Sequence, residues 1–176
     1  METSTQMQIG ERLGPYEIRD TLGQGGMAQV FKAWHTGLHR FEALKVPIPR
    51  AHAASQGKRL FISRFLTEAR TAASLRHPHI ATIYSVSEAD AAQPFFAMEL
   101  VEGSDLADLI HKRTRLTLDE TLSILEPVAA GAGLCTWSGH CSSRHQAWQC
   151  AARSQRRTLE SQSRRFRHRP RGARGR

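Results

Sequence analysis

The character of this chain changes past residue 130, and that change limits what it can fold into. Residues 131–176 hold 11 arginines, no lysine and one acid, Glu160, a net of +10, while residues 1–130 carry 14 basic against 15 acidic side chains. A self-repelling segment with little apolar content cannot bury enough surface to offset its lost chain entropy. The core therefore has to come from the first 130 residues, enough for one small domain. The overall charge of +9 belongs to one end and does not describe a binding face of the domain. Cys135, Cys141 and Cys150 all lie in the basic end, odd in number and without a CxxC pair, so no disulfide framework is expected. The start, "METSTQMQIGERLGPYEI", has no basic and apolar leader, and no apolar run reaches bilayer length, which points to a cytoplasmic protein with no membrane segment.

From Tyr16 onward, short runs rich in β-branched and aromatic residues alternate with glycines: "YEIRDTLG", "AQVFKAW", "RFEALKV". They predict three antiparallel strands. The next segment, "SQGKRLFISRFLTEARTAASL", places Phe61, Phe65, Ala69 and Ala73 at a spacing of four and predicts an amphipathic helix, stopped where Pro78 denies a backbone donor. "IATIYSV" and "PFFAMEL" predict a fourth and a fifth strand. "SDLADLIHK" reads as a short helix with Ser104 as N-cap. "TLDETLSILEPVAA" reads as another, opened by Thr117 and Glu120 in capping-box spacing ahead of Leu118, Leu122 and Leu125. The expected class is α+β, with residues 1–11 as a flexible N-terminus, 12–135 as the domain and 136–176 as a disordered basic tail.

Chemistry concentrates in three places. "LGQGGMAQV", Leu22 to Val30, lies between two strands, so it is a glycine-rich hairpin and lacks the helix behind it that a dinucleotide fold needs. Glycines let such a hairpin approach phosphate oxygens closely, although a glycine-rich turn is commonly only a turn. "ALKV" puts Lys45 inside an apolar strand, where an ammonium group needs a partner, and Glu68 on the helix is available. Alone, the lysine could snorkel and the glutamate could face solvent. Their fixed order after the hairpin is not explained that way.

Together, "LGQGGMAQV", "ALKV", "FLTEARTAASLRHPHI" and "FFAMELVEGSDL" resemble the N-terminal lobe, hinge and first C-lobe helices of a bacterial, eukaryotic-like serine/threonine protein kinase, over about two thirds of the chain. The resemblance implies a five-stranded antiparallel sheet with one helix, and ATP and Mg2+ as cofactors. Gly23, Gln24, Gly25, Gly26, Met27, Ala28 and Gln29 would cover the ATP phosphates, with Lys45 on the α- and β-phosphates held by Glu68. Leu22, Val30 and Ala43 would line the adenine pocket, and Met98 would be the gatekeeper. The backbone of Glu99 and Val101 would bond the adenine edge, and Asp105 would meet the ribose. The family pattern "GGMGxV" reads "GGMAQV" here, so Ala28 would be strained if that position required a positive φ.

The resemblance then fails. A His-Arg-Asp loop and an Asp-Phe-Gly motif should follow, and neither occurs in residues 131–176. The chain as written would keep an ATP-binding lobe and lack the catalytic and metal-binding loops. "SSRHQAWQC" can be encoded TCA TCG CGA CAT CAA GCC TGG CAA TGT; dropping one nucleotide gives His-Arg-Asp-Ile-Lys-Pro-Gly-Asn-Val. The same offset turns "SQSRRFRHR" into Leu-Lys-Val-Ala-Asp-Phe-Gly-Ile-Ala, and turns "GAGLCTW" into Ala-Leu-Ala-Cys-Ala-His. The tail reads as out-of-frame translation of a kinase gene. Two other functions are left for the written chain: an inactive ATP-binding pseudokinase, and an Arg-rich nucleic-acid binder that neutralises phosphates and stacks Phe166. Nucleic acid is not the expected partner, because a disordered or out-of-frame segment accounts for the basic tail. A zinc site from the tail Cys with His140 and His145 fits no common ligand spacing. The protein substrate is not legible.

Overall fold

The computed structural model describes residues 7–48, 55–103, 106–112 and 115–137, the last four of these as backbone only. The chain divides into two compact units, one made of the residues up to Arg76 with Ala81–Leu100, the other of His77–Ile80 with the residues from Val101 on. The first unit holds β1 (Arg12–Leu13), β2 (Tyr16–Gln24), β3 (Ala28–His35), β4 (Arg40–Pro47), α1 (Ser55–Ala73), β5 (Ile83–Val86) and β6 (Phe96–Met98).

These strands form one antiparallel sheet in the order β1-β2-β3-β4-β6-β5. The five expected strands are present, and a sixth is added at the edge. It is β1, where Arg12 and Leu13 pair with Glu17 and Tyr16. Ahead of it, the Gly10 amide donates to Ile18 O and the Ile18 amide to Glu11 O, both at 2.9 Å. Alternation sends Ile18, Phe31, Ala33, Leu44, Val46 and Ala97 into one core with Tyr16, against which Met7, Leu13 and Phe95 pack. Burying those side chains drives sheet formation, each worth roughly 1.5–3 kcal/mol for a large aliphatic or aromatic residue.

β4 is buried over its last six residues. It is an interior strand, paired with β3 on one side and β6 on the other. Glu42 is 0 % exposed within it, and its charge is compensated: Arg40 Nε donates to Oε1 at 2.7 Å and the Tyr16 hydroxyl to Oε2 at 3.2 Å. The same hydroxyl lies 3.1 Å from Ser85 Oγ, joining β2, β4 and β5. Burial raises the Tyr16 pKa, with the nearby Glu42 charge adding to it and the Ser85 hydrogen bond opposing it.

α1 buries Leu66, Ala69 and Ala72, while Ala73 is exposed and Phe61 and Phe65 are half-buried. The expected stripe of Phe61, Phe65, Ala69 and Ala73 is therefore corrected. Residues four apart advance about 40° per step on a helix of 3.6 residues per turn, so a row of four of them leaves the buried face.

The second unit contains α2 (Leu106–Lys112) and α3 (Leu118–Trp137). The predicted capping box opens α3: the Thr117 amide donates to Glu120 Oε2 at 3.0 Å and the Glu120 amide to Thr117 Oγ1 at 3.2 Å. The helix runs on through Pro127. Ile124 is its buried apolar side chain, whereas Leu118, Leu122 and Leu125 are 73 %, 45 % and 51 % exposed. Ser104, the expected cap of α2, and residues 138–176, the larger part of the expected tail, lie outside the described residues.

Candidate functional site

The hairpin between β2 and β3 is a tight one. Gly23 pairs with Val30 and Gln24 with Gln29, and the Gly25 amide closes the turn on Ala28 O at 2.9 Å. Its far side is tied to the sheet by the Ile48 amide donating to Met27 O at 2.8 Å. Leu22 through Met27 are exposed. Among the described residues the glycines with positive φ are Gly10, Gly14 and Gly103, and none lies in this hairpin. Conformation therefore does not demand glycine here. A Cβ added to Gly23 or Gly26 would meet nothing within 4 Å, so what these glycines provide is an uncovered backbone. Ala28 is buried in β3 opposite Pro47 and has no positive φ. The substitution of alanine for the family's glycine thus brings no backbone strain.

Register sets the rest of the site. Val30 lies opposite Lys45, which lies opposite Phe96; Lys32 lies opposite Ala43, which lies opposite Met98. Directly paired residues share a face, as do residues two apart on a strand. Val30, Ala43, Lys45 and Met98 therefore share the face opposite the Phe31 and Leu44 core. Ala43 and Met98 are each 3 % exposed, giving an apolar floor beside the glycine hairpin.

Lys45 is 9 % exposed, with its ammonium 5.7 Å from the centroid of the Phe96 ring. Burial lowers its pKa from 10.5 to about 8, and the Glu68 charge opposes this only in part. Glu68 follows Phe65 by three residues on α1, hence on the same helix face, and Phe65 packs on Phe96 at 5.1 Å. That stacking brings Glu68 toward Lys45. The Glu68 charge acts on Lys45 and favours its charged form; ion pairs seen among the described residues include Arg19–Glu17, Arg40–Glu42 and Arg70–Glu88.

At the end of β6 the Glu99 amide donates to Thr82 O at 2.8 Å, and its side chain accepts from the Thr82 amide at 3.2 Å. Any adenine contact at Glu99 has to go through its carbonyl. Val101, half-buried, belongs to the second unit, and Asp105 lies outside the described residues. Phe96 was missed by sequence reasoning. Its only signal is the register that puts the second aromatic of "PFFAM" across from Lys45.

Compared with known proteins, residues 16–136 match the protein kinase domain. A probable serine/threonine-protein kinase of Streptomyces coelicolor, SCO3848, is 40 % identical over 128 residues, covering 68 % of this chain and 18 % of the relative. The serine/threonine-protein kinase PknD of Mycobacterium tuberculosis is 34 % identical, over 70 % of this chain and 18 % of its own. The chain thus spans about a fifth of the length of these relatives. Among solved structures, the PknI kinase domain of M. tuberculosis superposes with a TM-score of 0.58 at 33 % identity, covering 72 % of this chain and 49 % of that one. PpkA-294 in its apo form reaches 0.69 over 90 % of this chain and 67 % of its own, at 18 % identity, a likeness of fold. A glycine-rich hairpin, a buried strand lysine, an acidic residue on the packed helix and a match spanning both units agree: this chain belongs to the protein kinase family, on its bacterial, eukaryotic-like serine/threonine branch.

Proposed function

We propose that the chain as written binds ATP through this lobe and does not turn it over. The carrying observation is Lys45, an ammonium group held in an apolar strand beside an uncovered glycine backbone, with its pKa lowered to about 8 by burial. A polyphosphate placed there would favour the charged form of Lys45 and receive backbone donors from the hairpin. Ala43, Val30 and Met98 give the adenine an apolar surface, and the Glu99 carbonyl fits its amino edge. The resemblance adds Leu22, Val101 and Asp105 as further contacts.

Family members transfer the γ-phosphoryl group of ATP to serine or threonine hydroxyls of proteins, using Mg2+ to neutralise the phosphates. Among the described residues no group of three or more His, Cys, Asp or Glu side chains is placed to hold a metal ion. The family holds its Mg2+ with a catalytic-loop Asn and the Asp of an Asp-Phe-Gly motif, and the written sequence contains no Asp-Phe-Gly. The written sequence also has no His-Arg-Asp loop to supply the carboxylate that orients a substrate hydroxyl. Among the described residues no helix is long and apolar enough to cross a membrane.

Titration calorimetry with ATP tests the proposal. Weak binding, abolished by Lys45→Met and little changed by Mg2+, is expected, with no release of ADP on prolonged incubation. Absence of affinity, or full affinity in Lys45→Met, contradicts it.

A further inference from the structure

The absence of His-Arg-Asp and Asp-Phe-Gly from the written sequence points to the DNA that encodes the chain from the last turns of α3 onward. We infer that from about Gly131 onward the chain is written one nucleotide out of register, and that the same DNA in the offset frame carries the other half of the site described above. The inference rests on the nucleotide-binding reading of Lys45 and the hairpin.

In the offset frame each residue takes its first base from the middle of a written codon and its third base from the start of the next. Its middle base, the written wobble base, can vary, and its outer bases are fixed except where Ser, Arg or Leu codons offer a choice. Several written residues leave almost no choice. Trp148 has one codon and admits only Gly. His145 admits Ile or Thr, Gln146 Lys or Arg, Gln149 Asn or Ser, and Cys150 Val or Ala. All five allow the residue needed for His-Arg-Asp-Ile-Lys-Pro-Gly-Asn-Val, which fits the H-R-D-x-x-x-x-N catalytic loop. Near the second motif Phe166 admits Phe, Ser or Leu, and His168 admits Ile or Thr, compatible with Asp-Phe-Gly-Ile.

The stretch before the loop closes without a gap. Trp137 admits only Gly, His140 Ile or Thr, and Cys141 Val or Ala. Residues 131–141 can therefore read Ala-Leu-Ala-Cys-Ala-His-Gly-Leu-Gly-Ile-Val, a helix end and a short β-branched run leading straight into His-Arg-Asp. Within α3 the buried side passes through Ile124 and Gly131, with Val128 half-buried between them. The offset frame puts Leu and Ala at the codons of Ala132 and Cys135, which continues that stripe at helical spacing. The exposed Leu118, Leu122 and Leu125 are an apolar face of the kind that calls for a covering element.

Composition gives independent support. Residues 131–176 contain no Ile, Val, Met, Tyr, Asn, Asp or Lys, the residues that build strands, cores and polar sites. Every arginine codon, whichever is used, becomes Val, Ala, Asp, Glu or Gly in the offset frame, so the shift removes all 11 positive charges of the arginines. Offset stop codons need a written codon with T in the middle, and here only Leu134, Leu159 and Phe166 have one. Of these, only Leu159 can yield a stop.

The completed site would run a balanced transfer. A serine or threonine oxygen forms a bond to the γ-phosphorus of ATP, the bond from that phosphorus to the β–γ bridging oxygen breaks with its electron pair leaving on ADP, and the hydroxyl proton passes to the loop Asp. The loop Asn and the Asp of Asp-Phe-Gly would hold Mg2+.

The codons decide the inference. Sequencing the gene from Val128 to Arg169 should give an offset frame that reads His-Arg-Asp and Asp-Phe-Gly, with Leu159 not encoded by CTA or TTA. Any other offset residue at the three Asp-forming or Asn-forming codons, or a stop at Leu159, overturns it. A second measurement uses the gene with one nucleotide removed at the Ala130 codon. Its product should bind ATP several-fold more tightly with Mg2+ than without, while the written chain shows no such response; an equal response in both overturns the inference. Wrong codons with ATP binding intact would refute the frame and leave the nucleotide site standing, and right codons with no ATP binding by the written chain would do the reverse.

Discussion

Replacing Lys45 with methionine should make the protein more stable near neutral pH, which is the opposite of the usual effect of changing a buried residue. The lysine is 9 % exposed and its pKa falls from 10.5 to about 8 on folding. A difference of about 2.5 units at about 1.36 kcal/mol each puts the cost of burying the charge at about 3 kcal/mol. The sign follows from proton counting. Between pH 8 and 10.5 the unfolded chain holds the proton that the folded chain has released, so stability rises with pH across that window, and the cost is present in full below it. Methionine has similar length, no charge and a sulfur suited to the Phe96 ring. Urea unfolding followed by circular dichroism should give Lys45→Met an advantage of up to about 3 kcal/mol at pH 7, shrinking to between about 1 and 2 kcal/mol near pH 9.5. A variant less stable than the parent at pH 7, or a gap that does not narrow with pH, would refute the reasoning. It would mean that interactions of the ammonium group outweigh its desolvation.

Tyr16→Phe removes the hydroxyl bonds to Glu42 and Ser85 and should cost about 1–2 kcal/mol in urea unfolding. Because burial raises the Tyr16 pKa above 10.0, the parent should lose stability as pH climbs past 10, and that loss should be absent from the variant. Gly26→Ala adds a methyl group into open space at a position without positive φ, so stability should stay within about 0.5 kcal/mol while ATP affinity measured by calorimetry falls. Thr117→Ala removes the hydroxyl that accepts from the Glu120 amide and donates to the Glu120 carboxylate, leaving the Thr117 amide bond in place, and should cost about 1 kcal/mol, seen as faster amide exchange in the first turn of α3.

The sequence was legible where a local rule had no competitor. Thr117 and Glu120 sit at the one spacing that lets side chain and backbone trade donors, and that cap forms as expected. The strands around the glycine hairpin follow from their alternation. β1 was not legible, because two residues carry no period and its pairing depends on the turn at Gly14, which has a positive φ. The Leu66, Ala69 and Ala72 face of α1 was misjudged because spacing by four looks like one stripe over two turns and drifts over four. Glu42 stood in plain view in "RFEALKV", yet only the approach of Arg40 and Tyr16 explains how a carboxylate can be wholly enclosed. The approach of Glu68 to Lys45 is a matter of how Phe65 of α1 lies on Phe96 of β6, and no spacing in the sequence encodes it. Asp105 and residues 138–176 fall outside the described residues.

The order of the strands has a consequence for synthesis. β2, β3 and β4 pair with their neighbours in the chain, and the last strand the sheet needs, β6, ends at Met98. Everything this sheet requires is therefore synthesised before the ribosome reaches the codons where the composition breaks. Domains form as they emerge, so the lobe can close around Phe31 and Leu44 whichever frame is read afterwards. A slip in the gene would then leave this lobe free to fold, its core shielding the chain from proteolysis.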